Sequence, residues 1–123
     1  MEHNLILNQK FNSLINNNFL CFNEVVQKKN IMGVYIAYSE KKEILYIGST
    51  NKFNIRFGTD LKHETTHTLM NKLLKSNTFT ERKLAKDYLI DVCKFKIEIC
   101  QDKREAEALE HFAIWALNPF YNK

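Results

Sequence analysis

The chain has 123 residues, 45% hydrophobic and 26% charged, which suits one globular domain with its own core and leaves no room for a second full domain. Three glycines and one proline exclude collagen-like or low-complexity material. Lys and Arg exceed Asp and Glu by 18 − 14 = +4, a mild basic excess that suits a polyanionic partner without specifying one.

No apolar run approaches the roughly 20 residues that span a bilayer. Met1-Glu2-His3-Asn4 lacks the basic and apolar regions of a secretory leader. The expectation is a cytoplasmic protein, nucleoid-associated or nuclear if its source is eukaryotic or viral, that is neither secreted nor membrane-bound. Cys21, Cys93 and Cys100 make neither an even disulfide set nor a C-x-x-C pair, and read as reduced thiols.

Residues 1–30 read as an N-terminal arm or helix and 31–123 as the main domain. In the arm, Leu7, Phe11, Leu14 and Ile15 recur at helical spacing until Asn16-Asn17-Asn18 interrupts them. Leu20, Phe22, Val25 and Val26 fit either a strand or a short helix. Met32 to Tyr38 and Ile44 to Gly48 read as two strands joined by the polar turn Ser39 to Glu43. A hairpin centred between Glu40 and Lys41 sets Tyr35 opposite Tyr46 and Gly33 opposite Gly48. Period-two alternation then gathers Val34, Ile36, Leu45 and Ile47 on the other face. One face is aliphatic; the other carries two tyrosines flanked by glycines.

Farther along, Asn54 to His63 and Thr68 to Lys75 fit helices, and Thr78 with Glu81 forms a capping box opening a third toward Asp91. Cys93 to Ile99 alternates as a third strand. Asp102 with Glu105 opens a last helix, which Asn118-Pro119 ends because the residue before proline is pushed out of helical geometry. The order predicts an α+β fold: a small antiparallel or mixed three-stranded sheet flanked by helices.

At 100° per residue, Ala106, Leu109, Ala113, Ile114, Ala116 and Leu117 make one apolar stripe on that last helix. Glu110 falls inside it, and a carboxylate there costs free energy unless it is paired or holds a metal. A structural ion pair and a functional role both fit. Trp115, on the polar side, reads as cover for a neighbouring loop. Arg56 and His63, seven apart, share a face of an unbroken helix. His63 and His67, four apart, have the spacing of a zinc pair but lack a third ligand to complete one.

Gly33-Val34-Tyr35, ten residues, then Tyr46-Ile47-Gly48 resembles the signature of the GIY-YIG nuclease family. Arg56, eight residues past Gly48, is similar to the family's catalytic arginine, Glu110 to its metal-binding glutamate, and Asn122 to its closing asparagine. The resemblance implies a metal-dependent DNA endonuclease of the compact restriction or phage and mobile-element type, with one Mg²⁺ or Mn²⁺ per active site. It implies that Glu110 holds the ion, Arg56 clamps the phosphate with its planar fork of donors, Tyr35 handles the proton of the attacking water, and Tyr46 positions water or phosphate. Gly48, Lys52 and His67 would lie against the substrate. Asp60 stands where many members carry a histidine or tyrosine, so His63 or His67 is the candidate proton relay. Ser49 and Thr50 stand where some members have a lysine, for which Lys52 is the nearest substitute. A homo-oligomer would bring two sites to two strands. The alternative is a nucleic-acid-binding module of the same fold that has lost cleavage.

Overall fold

The computed structural model describes residues 2–28, 31–53, 72–74, 79 and 81–122. Their elements run α1 (Glu2–Asn16), α2 (Phe22–Val26), β1 (Gly33–Tyr38), β2 (Ile44–Thr50), α3 (Arg82–Asp91), β3 (Lys94–Ile99), α4 (Lys103–Leu117) and a closing 3₁₀ turn, Phe120–Asn122. The expected helix over 54–63, with Arg56, Asp60 and His63, lies outside the described residues. So does His67; of the helix expected over 68–75, residues 72–74 are described and helical.

The three strands form one antiparallel sheet in the order β2-β1-β3, bearing out the α+β expectation. β1 is central and every residue from Gly33 to Tyr38 is buried. Its pleat sends Val34, Ile36 and Tyr38 to one side, where Leu14 of α1 and Ala106, Leu109 and Ala113 of α4 cover them. Tyr35 and Ala37 point to the other side, under Phe22 and Val25 of α2, Phe53, Leu73, and Ala85 and Leu89 of α3. The tyrosine face is therefore a second core and not an open surface.

The hairpin pairs Tyr35 with Gly48, Ala37 with Tyr46 and Gly33 with Thr50, two residues away from the register read from the sequence. The turn sets the difference. The Ser39 N–H donates to the Glu43 carbonyl, its hydroxyl accepts from the Lys41 and Glu43 amides, and Lys42 takes a left-handed φ of 63°. A bulge beside Ala37 and Tyr38 absorbs the extra residue. A slip of two preserves the faces, so Val34, Ile36 and Ile47 do share one side. Leu45 does not join them: the bulge turns it toward the tyrosine side and sends Ile44 to the aliphatic one.

The two signature glycines are not partners. A Cβ on Gly33 would sit 2.0 Å from the carbonyl oxygen of Glu98, so this glycine lets β1 approach β3. A Cβ on Gly48 would sit 2.6 Å from the phenol oxygen of Tyr35.

The outer edge of β3 is closed by the N-terminal segment. Leu20 and Phe95 exchange backbone bonds of 2.7 and 2.8 Å, the Asn17 side chain donates to the Ile97 carbonyl at 2.6 Å, and Lys10 donates to that of Ile99 at 2.8 Å. The ambiguous segment after the asparagines is both things at once: a one-residue bridge at Leu20, then the short helix α2.

α4 starts and stops where the sequence places it. The Asp102 carboxylate accepts from the Glu105 amide at 2.8 Å, and the Glu105 carboxylate reaches the Gln101 amide at 3.3 Å, one residue short of a full capping box. Asn118 closes the helix with φ 49°, followed by Pro119. Of the predicted apolar stripe, Ala116 is exposed. Glu81 does not act as the third helical residue of a capping box: it is itself the N-cap of α3 and makes no side-chain cap bond. Trp115 covers no loop among the described residues and is 83% exposed. No described helix is long and apolar enough to cross a membrane.

Burial pushes the Cys93 thiol up to about 12 and the Cys100 thiol up to about 11, from an ordinary value of 9.0, and raises the phenols of Tyr38 and Tyr88 as well. A proton held more tightly in the folded state stabilises the fold fully below the unfolded pKa, and that stability is lost as pH rises through the folded value. Stability is therefore expected to hold up to about pH 9 and to decline from there toward pH 12. Urea midpoints measured across that range test this; a midpoint constant to pH 11 contradicts it.

Candidate active site

β2 is an edge strand, and its residues in order carry the polar groups that the two cores exclude. Tyr46 points to the same side as Tyr35, with the two ring centroids 6.2 Å apart and the rings tilted by 42°. Both rings are core residues, 1% and 7% exposed. Directly opposite Tyr35 stands Gly48, and the phenol lies over the place where its side chain would be. The missing Cβ is what allows the Tyr35 hydroxyl to reach across β2 toward the sheet edge.

The next residue, Ser49, faces the other side, where α4 crosses. Its hydroxyl donates to Glu110 Oε1 at 2.5 Å. The carboxylate in the apolar stripe is thus half-buried against a strand hydroxyl, and among the described residues it has no ion-pair partner. Gly48 and Ser49 are neighbours on one short stretch of edge. They bring the Tyr35 phenol to it from one face and the Glu110 carboxylate from the other.

Asn122 holds that stretch in place. Its side-chain amide accepts from the Ile47 N–H at 2.7 Å and donates to the Ile47 carbonyl at 2.8 Å, acting as one residue of an added strand. Lys72 donates to the backbone carbonyl of Tyr121, with its ammonium 5.7 Å from the centroid of the Tyr46 ring. Lys52 is exposed just past β2, in a turn where its amide donates to the Thr50 hydroxyl at 3.2 Å.

Of the residues named from the sequence, Tyr35, Tyr46, Gly48, Glu110 and Asn122 all meet on or around β2, while Arg56, His63 and His67 lie outside the described residues. Ser49 and Lys72 went unassigned. Ser49 could have been found, since alternation puts it on the Ile47 side beside α4. Lys72 carries no local signal, because only tertiary folding brings it to Tyr46.

Among the described residues, no three His, Cys, Asp or Glu side chains gather closely enough to hold a metal ion. That donor set does not fit zinc, which takes three or four protein ligands. One half-buried carboxylate with one oxygen anchored and no cation beside it among the described residues does fit Mg²⁺, which keeps most of its waters and takes one or two carboxylates. A cavity of about 370 Å³ lies elsewhere, along the outer edge of β3 between Asn17, Glu98 and Ile99. Its walls lack the tyrosines and Glu110, so the edge of β2 is the better candidate.

The family model described as the GIY-YIG catalytic domain matches residues 31–123. Among solved structures, the chain is similar to the GIY-YIG N-terminal endonuclease domain of UvrC from Thermotoga maritima bound to its catalytic divalent cation, magnesium, at 20% identity with a TM-score of 0.56, covering 82% of this chain and 93% of that one. A point mutant of the same domain, bound to the catalytic divalent cation, matches at 19% identity with a TM-score of 0.57, covering 82% and 92%. At such identity the likeness is one of fold. No curated protein sequence matches the chain.

Asn122→Ala removes both bonds to Ile47 and leaves two backbone groups of an edge strand without their partner. The expected loss is about 2 kcal/mol of stability, with faster hydrogen exchange at the Ile47 amide. Denaturant titration and amide exchange measure the two effects. Unchanged protection at Ile47 would show that the clamp is not made.

Proposed function

Because the chain belongs to the GIY-YIG catalytic-domain family, we propose that it is a metal-dependent endonuclease that hydrolyses DNA phosphodiester bonds, of the compact restriction or phage and mobile-element type. The observation that carries this reading is that the Tyr35 phenol reaches Gly48 from one face of the β2 edge and the Glu110 carboxylate reaches its neighbour Ser49 from the other.

Hydrolysis of a phosphodiester needs a proton taken from water, positive charge on the phosphate, and help for the leaving oxygen. Glu110 is the residue that holds the divalent ion, Mg²⁺ by analogy with the magnesium-bound UvrC domain, or Mn²⁺. That ion supplies charge neutralisation at the phosphate and acidifies water at neutral pH. Tyr35 takes the proton of the attacking water, either as a phenolate or by passing its own hydroxyl proton onward as it accepts that one, and Tyr46 orients the water or the phosphate. A phenol titrates near 10 in water, so this work needs positive charge close by. Arg56 provides it as the phosphate clamp, and Lys72 adds a cation on the tyrosine side. His63 or His67 carries the proton onward. Gly48 and Lys52 face the substrate backbone, and Asn122 fixes the β2 edge on which these groups stand.

A DNA substrate places the activity in the cytoplasm, nucleoid or nucleus, and a homo-oligomer allows both strands to be cut. The runner-up, a binding module without cleavage, gains nothing from a carboxylate anchored at the same strand edge that the Tyr35 phenol reaches.

Purified protein incubated with supercoiled plasmid should nick it with Mg²⁺ and not with chelator. Glu110→Ala and Tyr35→Phe should each reduce cleavage by at least about a hundredfold while keeping DNA affinity, and Arg56→Ala should lose both. Metal-independent nicking, or wild-type cleavage by Glu110→Ala, would sink the reading. Binding without cleavage by the wild type would support the runner-up.

The +4 charge makes phosphate contacts the main source of affinity, so DNA binding should weaken by at least about tenfold between 50 and 200 mM salt. Affinity that stays constant over that range contradicts this.

A further inference from the structure

We propose that Ser49 is a positioning residue: its hydroxyl holds the Glu110 carboxylate in the one orientation that serves a divalent cation at the β2 edge. The inference rests on the nuclease reading above and adds to it a residue outside the signature tyrosines, arginine and glutamate.

Three observations carry it. The contact is short, with Ser49 Oγ donating to Glu110 Oε1 at 2.5 Å, in the range of a hydroxyl bound to a charged acceptor. It is also the polar exception in an apolar interface. The neighbouring α4 residues Ala106, Leu109 and Ala113 are fully buried against Val34, Ile36 and Ile47, so helix and sheet are already joined without it. Lastly, it binds one carboxylate oxygen and leaves Oε2 without a hydrogen bond or ion pair among the described residues. A carboxylate anchored by one oxygen presents the other in a fixed direction.

A glutamate has three side-chain torsions and, on the surface of a helix, samples many rotamers. Ser49 sits on a paired strand, opposite Val34 on β1, so its own position is set by the sheet. Transferring that rigidity to Glu110 removes the cost of ordering the ligand when the cation binds. Partners of this kind, one bond away from the ion, are typically worth 10- to 100-fold in metal affinity or activity.

The test compares Ser49→Ala and Ser49→Thr with the wild type in the full chain. Mn²⁺ and Mg²⁺ affinities are measured by calorimetry, the cation dependence of plasmid nicking by titration, and folding by thermal unfolding. Ser49→Ala should weaken cation binding by about tenfold or more and raise the half-saturating cation concentration for nicking by the same factor. Its maximal rate at saturating cation should stay near the wild-type rate. Ser49→Thr, which keeps the hydroxyl and suits a strand, should restore both.

A lowered melting temperature with unchanged cation affinity would assign Ser49 a purely structural role and overturn the proposal while leaving the nuclease reading intact. If Ser49→Ala fails to fold, Ser49→Thr decides: wild-type cation affinity supports the proposal, and a tenfold loss overturns it. A wild type that binds neither cation would overturn both.

Discussion

The two-sided burial of β1 is the constraint from which the arrangement follows. A central strand covered on both faces and paired along both edges has no place for an unpaired polar group, because each would be buried without a partner. Polar chemistry is thereby displaced to the outer strands. On β3 the displaced groups are consumed structurally, by Leu20, Asn17 and Lys10. On β2 they are Gly48, Ser49 and the backbone of Ile47, and these are the positions where Tyr35, Glu110 and Asn122 arrive. The two edges of one sheet divide the labour: one is sealed, the other is equipped.

The edge location also explains how a tyrosine can be 1% exposed and still be a candidate for chemistry. The aromatic ring contributes to the core, where it is packed by Phe53 with centroids 6.4 Å apart, while its oxygen overlies the glycine of the edge strand. One side chain packs the core at its ring and brings a polar group to the sheet edge at its tip. Glu110 shows the same economy in reverse. It occupies a core-facing helical position, yet its carboxylate ends on a serine at the sheet margin.

Much of the fold is legible in the sequence because the signals are local. α4 is delimited by an N-capping aspartate and an asparagine before proline, β3 by alternation, and β1 and β2 by apolar runs on either side of a polar turn. The faces of the hairpin survive although its register does not, since turn chemistry at Ser39 and Lys42 fixes the register while parity alone fixes the faces. The signature spacing around Tyr35 and Tyr46, with Glu110 in the last helix, marks the candidate site in the sequence, but the reason for its glycines needs the third dimension. Gly33 answers to a carbonyl on β3, whose place in the sheet no local pattern encodes. Lys72 and Asn17 are invisible for the same reason: each acts on a segment far away in sequence.

Each edge of the sheet takes a side-chain partner distant along the chain, Asn17 to Ile97 at a separation of 80 residues and Asn122 to Ile47 at 75. The hairpin of β1 and β2 can form early from neighbouring residues, but the ribbon it makes has two open flanks until β3 pairs with β1 and Asn122 reaches Ile47. Closing such long loops must be accomplished before their contacts contribute, which slows folding and keeps the flanks available to foreign strands in the meantime. During synthesis that interval lasts at least until residue 122 has left the ribosome. The hairpin bears its own protection for that period. Lys41 and Lys42 sit at its tip, and Ser49 and Thr50 make one end of β2 polar, so the open ribbon is a poor template for aggregation.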